Sequence, residues 1–424
     1  MLTREENERL CRVGPGTPMG ETLRRYWIPA LLSEELPEPD GPPVRVRLLG
    51  EDLVAFRDTS GQVGLVDEWC PHRRASFYWG RNEEHGIRCV YHGWKFDRTG
   101  RCLDMPNEPP ESHFKDKVRL QAYPTWEAAG IVWTYMGPPE LQPPLPDYEW
   151  VRAPKGFVWV SKTLEDCNWI QAMEGGLDTT HSSFLHNLNL QNFRAPRTQS
   201  TAPRLVVEKT DYGYRYFSLR ELRASGQRYI RGYHFLMPFQ QMRGETVDFH
   251  TGQPANPPSL NGHLWVPLDD THTAVYNWMQ SVDPNRPISE EEWIAQETFW
   301  GRGPDDVLPG YRLKRNRSND YLIDREEQRT RTFSGIKGVN TQDFALQETM
   351  EYPFSDRTKE RLGTADAAII AMRQLLLEAS RVVETGGSPR GLDPSTYRQV
   401  RAYDLMIPAD QDWEAIRERM LAVF

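Results

Sequence analysis

The sequence predicts an α+β protein in two parts: a small antiparallel β domain, then a larger α+β domain whose antiparallel sheet is flanked by helices. Three observations carry this. From Val44 to about Pro154, apolar and polar residues alternate in short runs broken by turn residues. Beyond residue 155, longer alternating runs mix with helical periodicity. Two proline-rich stretches, PEPDGPPV (37–44) and LQPPLPDYE (141–149), mark the transitions. The division expected is an N-terminal arm over 1–43, a β domain over 44–154 and the larger domain over 155–424.

In the arm, GETLRRYWIPALL reads as an apolar helix turn stopped by Pro29. VRVRLL, DLVAFRD and QVGLVD then read as strands joined by tight turns, and IRCVYHGWKFD, TGRCLDM and GIVWTYMG continue in the same style. FVWVSKTL opens the larger domain as a strand. CNWIQAMEGGLDTTH reads as a helix, because Trp169, Met173 and Leu177 recur at four-residue steps. LVVEKTD, YRYFSLREL and RYIRGYHFLMPF are strands. GHLWVPLDDTHTAVYNWMQSV is a hairpin turning at Asp269, Asp270 and Thr271. TADAAIIAMRQLLLEASRVVE is a long amphipathic helix with Gly386 and Gly387 as its stop.

A chain of 424 residues buries enough core to fold without disulfides. With 51 basic and 60 acidic side chains the net charge is −9, which argues against a nucleic-acid binder. MLTREENERL has no apolar core of a secretory signal, and AAIIAMRQLLL is interrupted by charge, so a cytoplasmic protein is expected. Cys11, Cys70, Cys89, Cys102 and Cys167 are odd in number and widely spaced, unlike a secreted disulfide framework.

Two of these cysteines sit in a metal-ligand pattern. CPH, with Cys70 and His72, is separated by sixteen residues from CVYH, with Cys89 and His92. Each loop offers one sulfur and one nitrogen. That suits a Rieske 2Fe–2S centre, where two thiolates hold one iron and two imidazoles the other. A structural zinc ion, the rival, more often takes like ligands from each loop.

A second constellation lies in NWIQAMEGGLDTTHSSFLH (168–186), spaced D-x-x-H-x-x-x-x-H. Gln171, Glu174, Asp178 and His181 fall at steps of three, four and three, so a helix presents them on one face. Such a stripe is costly to bury unless it serves a purpose. His186 is five residues past His181, off that face; TTHSS is a poor helix former, and a distortion there lets both imidazoles meet one ion. Two histidines and a carboxylate form the facial triad of non-haem Fe(II) oxygenases. On chemistry alone, Asp343, Glu348 and Asp356 are equal candidates for the carboxylate. Asn168 and Glu174 are candidates to support the site or simply to form a polar helix face; Cys167 reads as an inert small residue.

CPHRRASFYWGR…IRCVYHGWKFDRTGRC, with Gly93 and Trp94 after the last histidine, resembles the Rieske domain of aromatic ring-hydroxylating oxygenases. The whole chain resembles phthalate 4,5-dioxygenase-type oxygenases, from GTPMGETLRRYWIPALLSEEL (16–36) through GIKGVNTQDFALQETM (335–350) to TADAAIIAMRQLLLEASR (364–381). The resemblance implies a Rieske 2Fe–2S cluster on Cys70, His72, Cys89 and His92. It implies mononuclear Fe(II) on His181, His186 and Asp343. It gives Asp178 the role of bridging His92 of a neighbouring subunit to His181, which implies a trimer or a stacked hexamer. It also implies an NAD(P)H-dependent iron–sulfur flavoprotein reductase as partner, and the absence of a G-x-G-x-x-G fingerprint agrees with a separate electron source.

The expected reaction is O2-dependent hydroxylation, cis-dihydroxylation first, of an aromatic acid. A monooxygenase or O-demethylase on the same scaffold is the runner-up. An electron-transfer or redox-sensor protein carrying only the cluster is the reading from another class. Arg204, Arg231 and Arg243 are candidates to clamp a carboxylate, although each also suits a solvated sheet edge. Phe184, Phe235, Phe239 and Trp265 suit a pocket wall and a packed core equally well.

Overall fold

A computed structural model describes residues 2–421. The chain divides into two compact units, Val13–Pro143 and Met1–Arg12 with Pro144–Phe424. Among the described residues, no helix is long and apolar enough to cross a membrane.

The smaller unit is built from antiparallel strands. Val44–Leu48, Glu51–Arg57, Val63–Asp67 and Ala122–Tyr123 form one sheet in that order. Arg81–Glu83, Gly86–Arg88, Lys95–Phe96 and Cys102–Asp104 form another. The alternation read in VRVRL is real: Val46 and Leu48 are buried while Arg45 and Arg47 face out. Leu49 and Gly50, at φ 47° and 80°, make the two-residue hairpin turn that the twist of the strands favours. Val54, Phe56, Val66, Phe77, Ile87, Trp94 and Phe96 pack into one core that also takes in Cys70 and Cys89.

Pro29 does not stop a helix. The helix is Pro18–Leu23, capped by Thr17, and Pro29 lies inside the strand Trp27–Leu32, paired with Ile131–Tyr135. The pairing slips between Pro29 and Leu31, so the missing proline N–H falls at a bulge. The N-terminal arm is therefore not one piece: the helix Arg4–Cys11 belongs to the larger unit and residues 13–43 to the smaller.

In the larger unit an antiparallel sheet runs Val158–Glu165, Thr273–Ser281, Pro254–Pro267, Gln240–Val247, Gln227–Leu236, Gly213–Leu222, Arg204–Thr210, and Asp404–Pro408 adds to Gln227–Leu236. The predicted hairpin is the pair Pro254–Pro267 and Thr273–Ser281. The long amphipathic helix is Ala367–Glu384, ended at Gly386 with φ 82°.

The helix Trp169–Leu177 decides where the second constellation goes. Asn168 caps it, accepting from Ile170 N and donating to the Cys11 and Asp270 carbonyls, so its role is structural. A Cβ on Gly176 would come within 2.0 Å of the Trp265 ring, so the glycine allows the helix to lie directly on the sheet. The helix ends at Leu177, and the chain turns into a short 3-10 segment, His181–Ser183.

Glu174, on the polar stripe, serves the core rather than a metal. Arg357 donates to both its carboxylate oxygens at 2.9 Å, and Arg373 Nε donates at 2.7 Å. The two buried arginines outweigh burial and hold Glu174 ionised. Glu174→Ala strands both guanidiniums and is expected to cost about 3–5 kcal/mol in chemical denaturation.

Two candidate metal centres and a cationic cavity

In the smaller unit, two turns bring the first constellation together. Arg74 N donates to the Cys70 carbonyl and Gly93 N to the Cys89 carbonyl, so each cysteine opens a tight turn that ends near its histidine. Gly93 has φ 80°, and a Cβ there would meet Pro106 at 2.6 Å. Backbone N–H groups of His72 and Arg73 point at the Cys70 sulfur, and those of Tyr91 and His92 at the Cys89 sulfur. The donors are sorted into like pairs. The two thiols hydrogen-bond each other, which holds the Cys89 thiol down to about 6 and pushes Cys70 up. The His72 and His92 rings lie 4.4 Å apart. A cluster that binds one iron through sulfur and the other through nitrogen needs this sorting; a single tetrahedral zinc ion does not. His92 Nδ1 is buried without a hydrogen-bond partner, an orphaned donor atom of the kind a metal satisfies.

In the larger unit, His181, His186 and Asp343 converge. His181 Nε2 and His186 Nε2 are 3.0 Å apart, and Asp343 Oδ1 lies 3.1 Å from His186 Nε2 and 3.5 Å from His181 Nε2. Ligands about 2.1 Å from one ion at right angles would sit about 3.0 Å apart, so the triangle fits three adjacent corners of an octahedron. Glu348 and Asp356, equal candidates on chemistry alone, lie elsewhere: Glu348 accepts from Tyr321, and Asp356 is engaged with Thr358 and Lys359.

Neighbours aim each member of the triangle. His186 Nδ1 meets Gln342 Oε1 at 2.7 Å, and Asn340 Nδ2 donates to Asp343 Oδ2 at 3.1 Å. Arg302 Nη1 donates to Asn340 Oδ1 at 2.7 Å and so fixes that amide. Arg220, fully buried, donates to Ser183 Oγ and the Thr179 carbonyl and pins the turn that carries His181. Burial alone would discharge His181, but Asp178 and Asp343 outweigh it and push the imidazole up to about 10. Asp343 is held ionised beside both imidazoles despite burial. The site thus calls for a cation, the charge a metal ion would supply.

Asp178 caps the turn. Its Oδ1 accepts from Thr180 N at 2.7 Å and Thr180 Oγ1 at 2.8 Å. Its Oδ2 lies 3.2 Å from His181 Nδ1, but off the N–H line, so the contact is an ion pair rather than a formed hydrogen bond. Burial would raise Asp178, yet His181 holds it down to about 2.

The triad opens onto a cavity of about 130 Å³. Arg231 and Arg243 both line it, with Arg197 and Arg302. Arg204 does not join them: it is exposed on an outer strand, 5.5 Å over the Trp413 ring. Trp265 is in the wall, whereas Phe235 and Phe239 are core residues and Phe184 is exposed. Arg302 is paired with Glu297, Arg197 donates to the His186 carbonyl, and Arg231 donates only to the Gly244 carbonyl at 3.1 and 3.3 Å. Among the described residues, the Arg243 guanidinium has no hydrogen-bond or ion-pair partner and lies 5.9 Å over the Trp300 ring. Burial and the charge of Arg231 pull Arg197 down to about 9 and Arg243 to about 10.

Arg197, Arg302, His250, His263, Asn277, Asn340 and Glu165 were not legible as site residues. They come from seven separate places in the chain, and no short spacing links them.

The chain is similar to known proteins over both units. The model of the Rieske [2Fe-2S] domain matches residues 26–124, and that of the "LigXa C-terminal domain like" family matches 134–422. The chain is 40% identical to the phthalate 4,5-dioxygenase oxygenase subunit of Pseudomonas putida, over 99% of this chain and 95% of that one. It is 32% identical to the 5,5'-dehydrodivanillate O-demethylase oxygenase subunit of a Sphingobium strain, over 94% and 86%. Among solved structures, the NdmA QL mutant of Pseudomonas putida CBB5 with caffeine superposes with a TM-score of 0.62 at 18% identity, over 93% and 99% of the two chains, a likeness of fold.

Proposed function

Because the chain belongs to the Rieske oxygenases with a LigXa-like C-terminal domain, and so is an oxygenase subunit, we propose that it cis-dihydroxylates an aromatic carboxylic acid bound beside a mononuclear iron. One observation carries the substrate class: an unpartnered guanidinium, Arg243, in the wall of the cavity that holds the triad. A guanidinium freed of protein acceptors and kept from bulk water binds a carboxylate in a two-pronged, charge-assisted geometry.

In this reading Cys70, His72, Cys89 and His92 hold the 2Fe–2S cluster, and His181, His186 and Asp343 hold Fe(II). When bound, these groups supply one-electron storage and O2 activation. The protein's own residues orient and exclude. Arg243 and Arg231 fix the acid group, Trp265 and Trp300 give the ring an apolar wall, and Asn340 and Gln342 keep the triad aimed. Electrons come from a separate NAD(P)H-dependent reductase. Asp178 links His181 to His92 of a neighbouring subunit in a trimer, and its side chain, 20% exposed, is open to such a contact.

Turnover of aromatic acids with a generic reductase and labelled O2 tests the reading: two labelled oxygens in the product mean dihydroxylation. One labelled oxygen would favour monooxygenation, a second reading supported by the O-demethylase relative. Arg243→Gln is expected to raise KM for the acid about 10–100-fold with a smaller change in kcat. Equal turnover of the acid and its neutral amide would sink the substrate assignment.

A further inference from the structure

Glu165 ends the strand Val158–Glu165 and lines the triad cavity, yet nothing above uses it. It is 1% exposed. The Cys167 thiol donates to its Oε1 at 3.2 Å, and its Oε2 is buried with no partner. At the C-terminal end of the helix Val339–Gln347, Glu348 lines a different cavity of about 410 Å³, together with Asp166, Arg312 and Arg317. Glu348 accepts from Asp166 N at 3.0 Å and from the Tyr321 hydroxyl at 2.5 Å. The two carboxyls are tied by sequence as well: the residue after Glu165 is the one whose N–H holds Glu348.

We propose that Glu165 is the proton donor of the triad cavity, reloaded from the outer cavity through Glu348 and Tyr321. This rests on the oxygenase reading above. Dihydroxylation adds O2, two electrons and two protons across a ring C=C bond. Monooxygenation takes the same two electrons and two protons and releases one water. Either way the reductase supplies the electrons, and two protons must reach the oxygen in the triad cavity. The Glu165 O–H bond breaks, its proton goes to the oxygen being reduced, and Glu348 replaces it with one taken from the outer cavity.

The neighbours leave few other donors. Asp178 and Asp343 are ionised beside the imidazoles. His250 is held down to about 2, by burial and then Arg197 and His186; His263 is kept neutral by burial with Arg243 and Arg302. Glu245 accepts from Asn261. The groups facing Glu165 are Glu348, Cys167, Asp343 and Asp166; burial first, then the Glu348 charge, pushes its carboxyl up from the ordinary range. Glu348 faces Tyr321, Asp166 and Arg312, and burial raises it too.

The test uses the full-length holoenzyme with its reductase. Glu165→Gln keeps the shape and removes the proton. Iron content and cluster spectrum should match the wild type. Product formation should fall about 10²-fold, with peroxide released instead, a larger solvent deuterium isotope effect and a displaced alkaline limb of the pH profile. Glu165→Asp should restore part of the rate. Wild-type product yield in Glu165→Gln overturns the proposal, and so does a loss of rate with unchanged isotope effect and pH profile. If Glu165→Gln does not fold, Glu348→Gln decides: about tenfold slower product formation with a raised isotope effect supports the relay, and no change overturns it. Wild-type product from an aromatic acid, alongside unaffected variants, overturns the relay alone and leaves the oxygenase reading standing.

Discussion

His186→Ala and Asp343→Ala are each expected to lose one iron atom per chain and all measurable product, while the visible spectrum of the 2Fe–2S centre stays intact. The three donor atoms sit 3.0–3.5 Å apart, and each is aimed by its own neighbour, so removing one leaves two donors and a gap no nearby side chain can fill. Gln342 and Asn340 are placed to orient ligands, not to replace them. A facial triad already leaves positions open for O2, and the loss of one of its three ligands takes affinity below what a labile Fe(II) site can hold. Iron analysis on protein reconstituted without oxygen reads the effect directly. A full iron complement in Asp343→Ala would show that another carboxylate completes the site. Glu165 also lines the cavity, and burial, which pushes its carboxyl up, argues against it.

Asp178→Asn should behave in the opposite way: both metal centres retained, turnover reduced about 10²-fold. Asp178 ties up one oxygen with Thr180 and presents the other to His181. An amide keeps the turn but loses the charge that orients His181 and, in the proposed trimer, His92 of the neighbour. The slow step should be re-oxidation of the reduced cluster, followed by stopped-flow absorbance with substrate and O2 present. Wild-type re-oxidation in Asp178→Asn would remove the bridging role and leave Asp178 as a cap for the His181 turn.

Much of the molecule was readable before any coordinate. CPH and CVYH each place a sulfur and a nitrogen within one turn, and a turn's geometry is set by its own few residues. The sequence reads as a helix carrying Asp178 and His181 and distorting at TTHSS, but the helix ends earlier, at Leu177, with Asp178 as its C-cap and His181 in a separate 3-10 turn. The hairpin and the long C-terminal helix followed from periods of two and of 3.6. Pro29 misled because an isolated proline reads as a helix stop, whereas the strand WIPALL is held by a partner a hundred residues away that tolerates a bulge. Glu174 reads in sequence equally as support for the site or as a polar helix face; the arginines that claim it for the core lie almost two hundred residues on.

What the sequence by itself determined is the Cys–His pattern of the first centre and the histidine pair of the second, since ligand identity and short spacing are local properties of the chain; the carboxylate of the triad was open on chemistry alone. What only the tertiary structure decided is who surrounds them. Arg243 sits across from Tyr233 in the sheet register, and that pairing turns it and Arg231 toward the triad while Arg204 faces away. Shifting the register by one residue would exchange those faces, and nothing within a single strand encodes it. The unpaired arginine, the buried Glu165 and the split arm are products of long-range packing, where segments far apart in sequence exclude water together.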